Sequence, residues 1–291
     1  MEFIKSKGYL AALGAVLIWS GFILVSRVGG ISPLLSFDII AIRYVTCSLL
    51  LLPIWFFWHR FNIFQPKLII ASLIGGLSYA LFAFKGFELT PASQAAVLLP
   101  GLMPVMIILI TTFLNKEKNQ ITKWLGVSLI TLGVLLLFWQ EFEKSGQFSI
   151  GHLSLAGAAF CWATFSSLIN RWSITPWQAT VCLAMITCCF YLPIYLLLLP
   201  KNISLELLPD IAIQAFYQGF LATIIQVLLY VKAVQLIGAA NMGSMMAIVP
   251  ILAGLSAIPI FNEPLRITLI LAMLLVSFGV WLAHTKKFIQ K

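Results

Sequence analysis

Charge is what this sequence has least of. Asp, Glu, Lys and Arg make up 9% of its 291 residues, against about 25% in an ordinary soluble domain. Acidic residues number nine, and none falls near the middle of an apolar run. That excludes a proton relay through a deep carboxylate, the usual arrangement in proton-driven carriers. Facilitated diffusion, exchange, or protons carried by a less obvious group remain open. Histidine is nearly as scarce: His59, His152 and His284 stand at the ends of apolar runs. No H-E-x-x-H pair exists, so a zinc metalloprotease is excluded, and no glycine-rich phosphate loop ending in Lys-Ser/Thr exists, so ATP use by this chain is excluded. The five cysteines (Cys47, Cys161, Cys182, Cys188, Cys189) lie within apolar runs and lack zinc-ligand spacing, which makes them small packing residues. Long polar stretches are missing too. The longest loop has about twelve residues, too few for a separate soluble domain.

Apolar surface takes the place of all this. Hydrophobic residues form 61% of the chain and the mean hydropathy is +1.03. No soluble fold of this size hides that much apolar surface. A bilayer-spanning helix takes about 20 residues, so ten would use most of the length. The runs and their breaks give ten candidates: 8–28, 34–58, 67–87, 91–114, 121–139, 152–171, 176–199, 208–232, 238–261 and 265–284. Prolines punctuate them at Pro33, Pro66, Pro91, Pro176 and Pro264, where the missing N–H is harmless at a helix start. The first run follows basic residues as a signal peptide does, but it is too long for one and is read as a retained span. The net charge of +9 belongs to topology, not to nucleic acid. With ten spans, one side collects twelve Lys and Arg and the other five. Basic residues favour the cytoplasm, which puts both termini there.

The chain also repeats itself. Gly8-Tyr9-Leu10, Gly14-Ala15, Trp19 and Phe22 align with Gly151-His152-Leu153, Gly157-Ala158, Trp162 and Phe165 at an offset of 143. Phe84 through Gln94 align with Val231 through Asn241 at 147, and Pro104, Glu117 and Gly133 with Pro250, Glu263 and Gly279 at 146. The expected fold class is therefore all-α integral membrane, with ten helices as two five-helix repeats, 1–145 and 146–291. Five is odd, so the second repeat enters the membrane inverted. Inverted repeats that exchange conformations give alternating access around a midplane site.

Matched positions suggest where that site lies. Residues three and four apart share a helix face, and Ser72, Gly75, Gly76, Tyr79, Phe82 and Gly86 form one such face. Its mate is Gly219, Ala222, Thr223, Gln226 and Ala233, with Tyr79 aligned to Gln226. Small faces also pack helices in lipid, whereas a polar group is better placed in a wet cavity. Trp19 and Trp162 lie near mid-span, away from the interface where Trp is usual. They can pack the core or hold an apolar or cationic group on their rings. Gln94 and Asn241 are matched at helix starts, where an amide either caps the helix or meets substrate. Tyr44, Gln214, Tyr217, Gln218 and Trp177 are further polar or aromatic candidates. Arg43 is the one deep charge, roughly 13 Å into its helix at 1.5 Å per residue. It can meet a substrate carboxylate or staple carbonyls of a neighbouring helix. Pro100, Pro104 and Pro250 fall within spans and are candidate hinges, because each withholds a hydrogen bond from the carbonyl four residues back.

Several motifs together carry a family resemblance. They are the small-residue runs ending at Trp19 and Trp162, the helix start Ser32-Pro33 leading to Ile42-Arg43-Tyr44, and Ala92 to Pro104 leading to Asn115-Lys116-Glu117. The last is echoed by Ala239 to Pro250 leading to Phe261-Asn262-Glu263. Over nearly its whole length the chain resembles the ten-helix EamA-type members of the drug/metabolite transporter superfamily. The resemblance implies a multi-pass protein of the bacterial inner membrane with a central cavity, often an exporter of amino acids or related metabolites. The family carries an arginine at the Arg43 position in members of differing substrate, which favours a structural role there.

The expected function is transport of a small neutral or zwitterionic metabolite by alternating access, an amino acid being favoured and export the expected direction. Organic amines or cations and lipid headgroups are the alternative cargoes, and a channel or an intramembrane enzyme is the alternative class. The expected partners are the substrate and membrane lipid, with no nucleic acid, cofactor, metal or catalytic residue, and the chain is read as a monomer.

The topology is directly testable. A single cysteine placed by Lys144→Cys in a cysteine-free background is expected to react with a membrane-impermeant maleimide added outside intact cells. Reaction from the cytoplasmic side alone would contradict the ten-span arrangement.

Overall fold

A computed structural model describes residues 2–115, 120–145, 149–237 and 239–284. Lys116 and Glu117 of the repeat motif lie outside the described residues. Among the described residues helices are joined by short turns with no strand, and ten segments are long and apolar enough to cross a membrane. They are α1 (Ser6–Ile31), α2 (Ser36–Phe57), α3 (Pro66–Leu89), α4 (Ala92–Ile110), α5 (Ile121–Gln140), α6 (Ile150–Arg171), α7 (Pro176–Leu198), α8 (Leu205–Ile237), α9 (Ser244–Phe261, its first residues shared with a helical segment Ala239–Met246) and α10 (Ile267–His284). The expected spans are all present, with ends shifted by a few residues.

The helix ends follow from local chemistry. Pro66 and Pro176 stand in the first turns of α3 and α7. At α7 the Thr175 hydroxyl accepts from the Gln178 N–H (3.2 Å), and the Gln178 side-chain oxygen accepts from the Thr175 N–H (3.1 Å). This reciprocal cap satisfies two N–H groups that have no helical partner. Asn262 ends α9 in the left-handed region, φ 52°, where asparagine is better tolerated than most residues. Large apolar side chains such as Leu10, Leu17, Leu49 and Leu197 are exposed around the bundle. That suits helices whose outer solvent is lipid.

Corresponding helices of the two repeats pack together: α2 on α7, α4 on α9 and α5 on α10, with α1 on α8 answered by α6 on α3. The α5–α10 pair is the tightest. A methyl group added at Gly126 would sit 2.6 Å from the Gly279 carbonyl oxygen, and one at Gly133 would sit 3.1 Å from the Ala272 carbonyl oxygen. As the residue number rises on α5 it falls on α10, so the two helices are antiparallel. Only glycine lets backbones approach this closely. The repeat equates Gly126 with Ala272 and Gly133 with Gly279. The two contacts therefore exchange when one repeat is laid on the other.

Three spans are not regular. α3 is π-helical over Leu73–Ser78 and α8 over Ala215–Ile225. At the offset of 147 Leu73–Ser78 corresponds to Phe220–Ile225, the later part of the α8 segment, and the two end immediately before Tyr79 and Gln226. α9 breaks between Met246 and Val249, where Pro250 has no N–H to give the Met246 carbonyl. α4 continues unbroken through both Pro100 and Pro104.

The end of the bundle that charge assigns to the outside is closed by polar contacts. The Glu263 carboxylate, just past α9, accepts from the backbone N–H of Ala92 (2.6 Å), the N–H of Ser93 (2.9 Å) and the Ser93 hydroxyl. It thereby ties α9 to the positive N-terminal end of α4. Arg27 donates to the carbonyls of Phe87 (2.9 Å) and Glu88 (2.7 Å) at the end of α3. Glu88 pairs with Lys85 at 2.7 Å and accepts from Ser36. Asp38 is fully buried and accepts from the N–H of Leu35 (2.8 Å), the Tyr195 hydroxyl (2.5 Å) and the N–H of Asn202 (3.1 Å). A small pocket of about 330 Å³ remains here, lined by Arg27, Ser93, Gln94, His152 and Glu263 among others.

Glu263→Ala leaves three donors at the start of α4 without their acceptor. Hydrogen bonds to a charged group are worth about 1.5–3 kcal/mol, so the variant is expected to melt several degrees lower in lipid nanodiscs. An unchanged melting temperature would show that this contact does not hold the outer end together.

Candidate functional site

Between the repeats lies a cavity of about 650 Å³, well inside the range of small-molecule sites. It runs from mid-membrane, at Trp19, Arg43 and Trp162, to the end of the bundle at Lys123, Asn170, Pro176 and His284. Asn170 and Pro176 at its rim are exposed. That end is the one the basic residues assign to the cytoplasm. The cavity is thus open on one side and closed on the other by the Glu263, Arg27 and Asp38 contacts.

Its walls are helix faces. α4 supplies Pro100, Met103, Pro104, Ile107 and Ile108; α6 supplies Trp162, Phe165, Ser166, Ile169 and Asn170; α8 supplies Ala222, Thr223, Gln226, Val227 and Tyr230. Each set recurs at intervals of three and four, one stripe per helix. α7 adds Ala179, Thr180 and Leu183, and α9 adds Met246 and Pro250 at its break. The lining is mostly apolar and aromatic, with a few polar side chains. This is the chemistry of a site that holds an amphipathic molecule.

The expected site residues separate into three groups. Trp19, Trp162, Gln226 and Arg43 lie on the cavity wall together, as do Pro100, Pro104 and Pro250. Tyr79 and Tyr44 stand behind it. Tyr79 is 3% exposed and its ring meets Trp162 at 5.2 Å between centroids, so it backs the tryptophan. Tyr44 is buried and its hydroxyl donates to the Gly76 carbonyl at 3.1 Å, inside the π-helical turn of α3. Gln94 and Asn241 lie at opposite ends of the bundle. Gln94 meets His152 at 2.6 Å in the outer pocket. Asn241 is exposed, and its amide donates to the Ile237 carbonyl at 2.7 Å.

The glycine-rich faces of α3 and α8 mainly pack helices. Gly75 lies against Phe165, Gly76 against Thr187, Gly86 against Leu155 and Gly219 against Thr46. Of the α8 face, only Ala222, Thr223 and Gln226 reach the cavity.

Sequence reasoning missed the lower wall formed by Ser166, Asn170, Thr180 and Tyr230. A signal for part of it exists: Trp162, Ser166 and Asn170 are spaced by four, a polar stripe continuing from a residue already singled out. Gln218 plays a larger part than its sequence suggests. It is fully buried, accepts from Arg43 Nη1 at 3.3 Å and donates to Ser26 Oγ at 3.0 Å. It therefore links α2, α8 and α1 beside the deepest part of the cavity. Arg43 makes no bond to a backbone carbonyl; Gln218 is its only hydrogen-bond partner among the described residues.

Comparison with known proteins places this architecture. The chain is 29% identical over 126 residues to the aromatic amino acid exporter YddG of Ancylobacter novellus, a match covering 41% of this chain and 44% of that protein. The chain thus matches less than half the length of that relative. It is 23% identical over 222 residues to the uncharacterized transporter YoaV of Bacillus subtilis, with 74% of each covered. A solved crystal structure superposes with a TM-score of 0.63, covering 96% of both chains at 21% identity, which establishes likeness of fold. The model of the EamA-like transporter family matches twice, over residues 6–139 and 149–285. Ten apolar spans, paired halves and a cavity between them are what such a match requires, and the chain belongs to the EamA-like transporter family.

Proposed function

We propose that this transporter exports a small neutral or zwitterionic metabolite from the cytoplasm, most simply an amino acid with an apolar or aromatic side chain. One observation carries the reading: a cavity of about 650 Å³ between the two repeats, open at the end rich in basic residues and walled by Trp19, Trp162 and Gln226. An apolar side chain removed from water gains roughly 25 cal/mol per Å² buried, and the tryptophan faces and proline edges offer that burial. Gln226, Thr223, Thr180 and Ser166 supply hydrogen bonds to a polar backbone. The similarity to an aromatic amino acid exporter supports the same cargo class.

Alternating access follows from the way the two ends are built. The outer end is held by hydrogen bonds that must break for release, while the cavity mouth at the opposite end is rimmed by exposed residues such as Asn170 and Pro176. The break in α9 at Pro250 and the π-helical turns in α3 and α8 are the places where the bundle bends at least cost. An organic cation is a poorer cargo. Among the described residues no carboxylate lines the cavity, and a bare ammonium ion in such surroundings costs several kcal/mol unless dipoles or rings replace its water.

Flux into proteoliposomes tests this. L-phenylalanine and L-tryptophan are expected to move, and putrescine and tetramethylammonium to stay out. Trp19→Ala and Trp162→Ala are each expected to weaken uptake about two- to twelve-fold, the worth of one ring–ring contact at roughly 0.5–1.5 kcal/mol. Strong flux of the cations with none of the amino acids would contradict the reading.

A further inference from the structure

We infer that Arg43 is the anion-binding group of the cavity and that the transported molecule carries a carboxylate, which its guanidinium receives. The inference rests on the cavity being the transport site and adds a requirement to it.

Three observations converge on this. The first is the state of Arg43 itself. It is 6% exposed, lies on the cavity wall, and its Nε is buried without a hydrogen-bond partner. A guanidinium has five N–H donors. Here one of them makes a single long bond, 3.3 Å, to the neutral amide of Gln218.

The second is the lack of a counter-charge. The carboxylate on the same helix, Asp38, is held by Tyr195, Leu35 and Asn202 at the outer end. The ion pair found among the described residues, Lys85 with Glu88, is also remote from the cavity. What surrounds Arg43 is aromatic: the rings of Phe22, Tyr44 and Phe84 have centroids 5.4, 5.7 and 5.9 Å from its Cζ. Ring faces offset part of a cation's lost hydration but leave its in-plane donors unused. A buried charge in this condition strongly favours an anion that can accept from two of them at once.

The third is the sign of the whole cavity. Its charged lining residues are Arg43 in the depth and Lys123 near the mouth, with no Asp or Glu among the described lining residues. A cleft with low-dielectric walls and one sign of charge concentrates ligands of the other sign.

Gln218 and Ser26 complete the arrangement. Gln218 holds Nη1 from one side, and its own amide is fixed by Ser26. They act as positioning residues, keeping the guanidinium plane in place. An arginine present only to tie helices together would spend its donors on neighbouring carbonyls, and Arg43 donates to none.

Binding to the purified transporter in nanodiscs is the test, with four probes of similar size: L-phenylalanine, 3-phenylpropionate, L-phenylalaninamide and phenethylamine. The two carboxylates are expected to bind the wild-type protein about ten- to hundred-fold more tightly than the amide and the amine, as charge-assisted hydrogen bonds allow. Arg43→Lys is expected to keep part of that preference and Arg43→Gln to abolish it at an unchanged melting temperature. The wild-type panel stands alone if the variants fail to fold.

Equal binding of phenylalanine and phenylalaninamide would overturn the inference while leaving amino-acid transport intact. A folded Arg43→Gln protein that still prefers carboxylates would overturn it as well. Carboxylates that bind through Arg43, with no amino-acid flux in proteoliposomes, would uphold Arg43 and overturn the amino-acid reading. If no carboxylate in the panel binds the wild type, both fall.

Discussion

Backbone hydrogen bonding in an apolar solvent is the constraint on which the rest of this structure depends. Lipid offers no substitute for a lost helical partner, so every irregularity that opens the cavity must be repaired by the protein. The repairs are visible as side chains bonded to main-chain carbonyls. The Tyr44 hydroxyl serves Gly76 in the π-helical turn of α3. Thr223 serves Gln218, five residues back, in the corresponding stretch of α8. Tyr217 and Gln214 have a different task, tying α8 to the carbonyls of Ile18 and Val25 on the regular helix α1. Tyr44 and Thr223 are thus explained by the irregular backbone beside them. On the wall, Ser166 and Thr180 likewise donate to main-chain carbonyls one turn back, and Gln226 is left facing the cavity.

The same constraint separates the two ends of the bundle. At the outer end, N-terminal N–H groups of α4 and C-terminal carbonyls of α3 find charged partners in Glu263 and Arg27. Charged groups are affordable there because helix ends lie near the membrane surface. In mid-membrane the structure keeps a single charge, Arg43, and surrounds it with rings and one amide. The transporter is therefore stiff and polar where it is shut, and apolar with one cationic point where it holds its cargo.

The sequence makes the scaffold legible because length and hydropathy are strong signals. Ten apolar runs become ten spans, and the offset of about 146 identifies the matching helices that the structure packs together. Lys85 and Glu88, three residues apart, are paired as their spacing suggests. Which member of each matched pair faces the cavity is not legible. Repetition in the sequence implies that Tyr79 and Gln226 are equivalent, and that Gln94 and Asn241 are too. A cavity open at one end breaks that equivalence. Gln226 lines it while Tyr79 is packed behind Trp162; Gln94 is bonded in the closed end while Asn241 is exposed near the open one. Pro104 and Pro250 differ likewise, the first in a continuous helix and the second at a break. The π-helical turns have no sequence signature beyond glycines that equally well mark close packing. Gln218 looked like one polar residue among several until its contact with Arg43 singled it out.

The decisive measurement is a structure of the transporter in nanodiscs with L-phenylalanine bound. The aromatic ring is expected between Trp19 and Trp162, within reach of Gln226, and the carboxylate within hydrogen-bonding distance of the Arg43 guanidinium. A ligand seated in the outer pocket beside Glu263, or on the lipid-facing surface with the central cavity vacant, would contradict it.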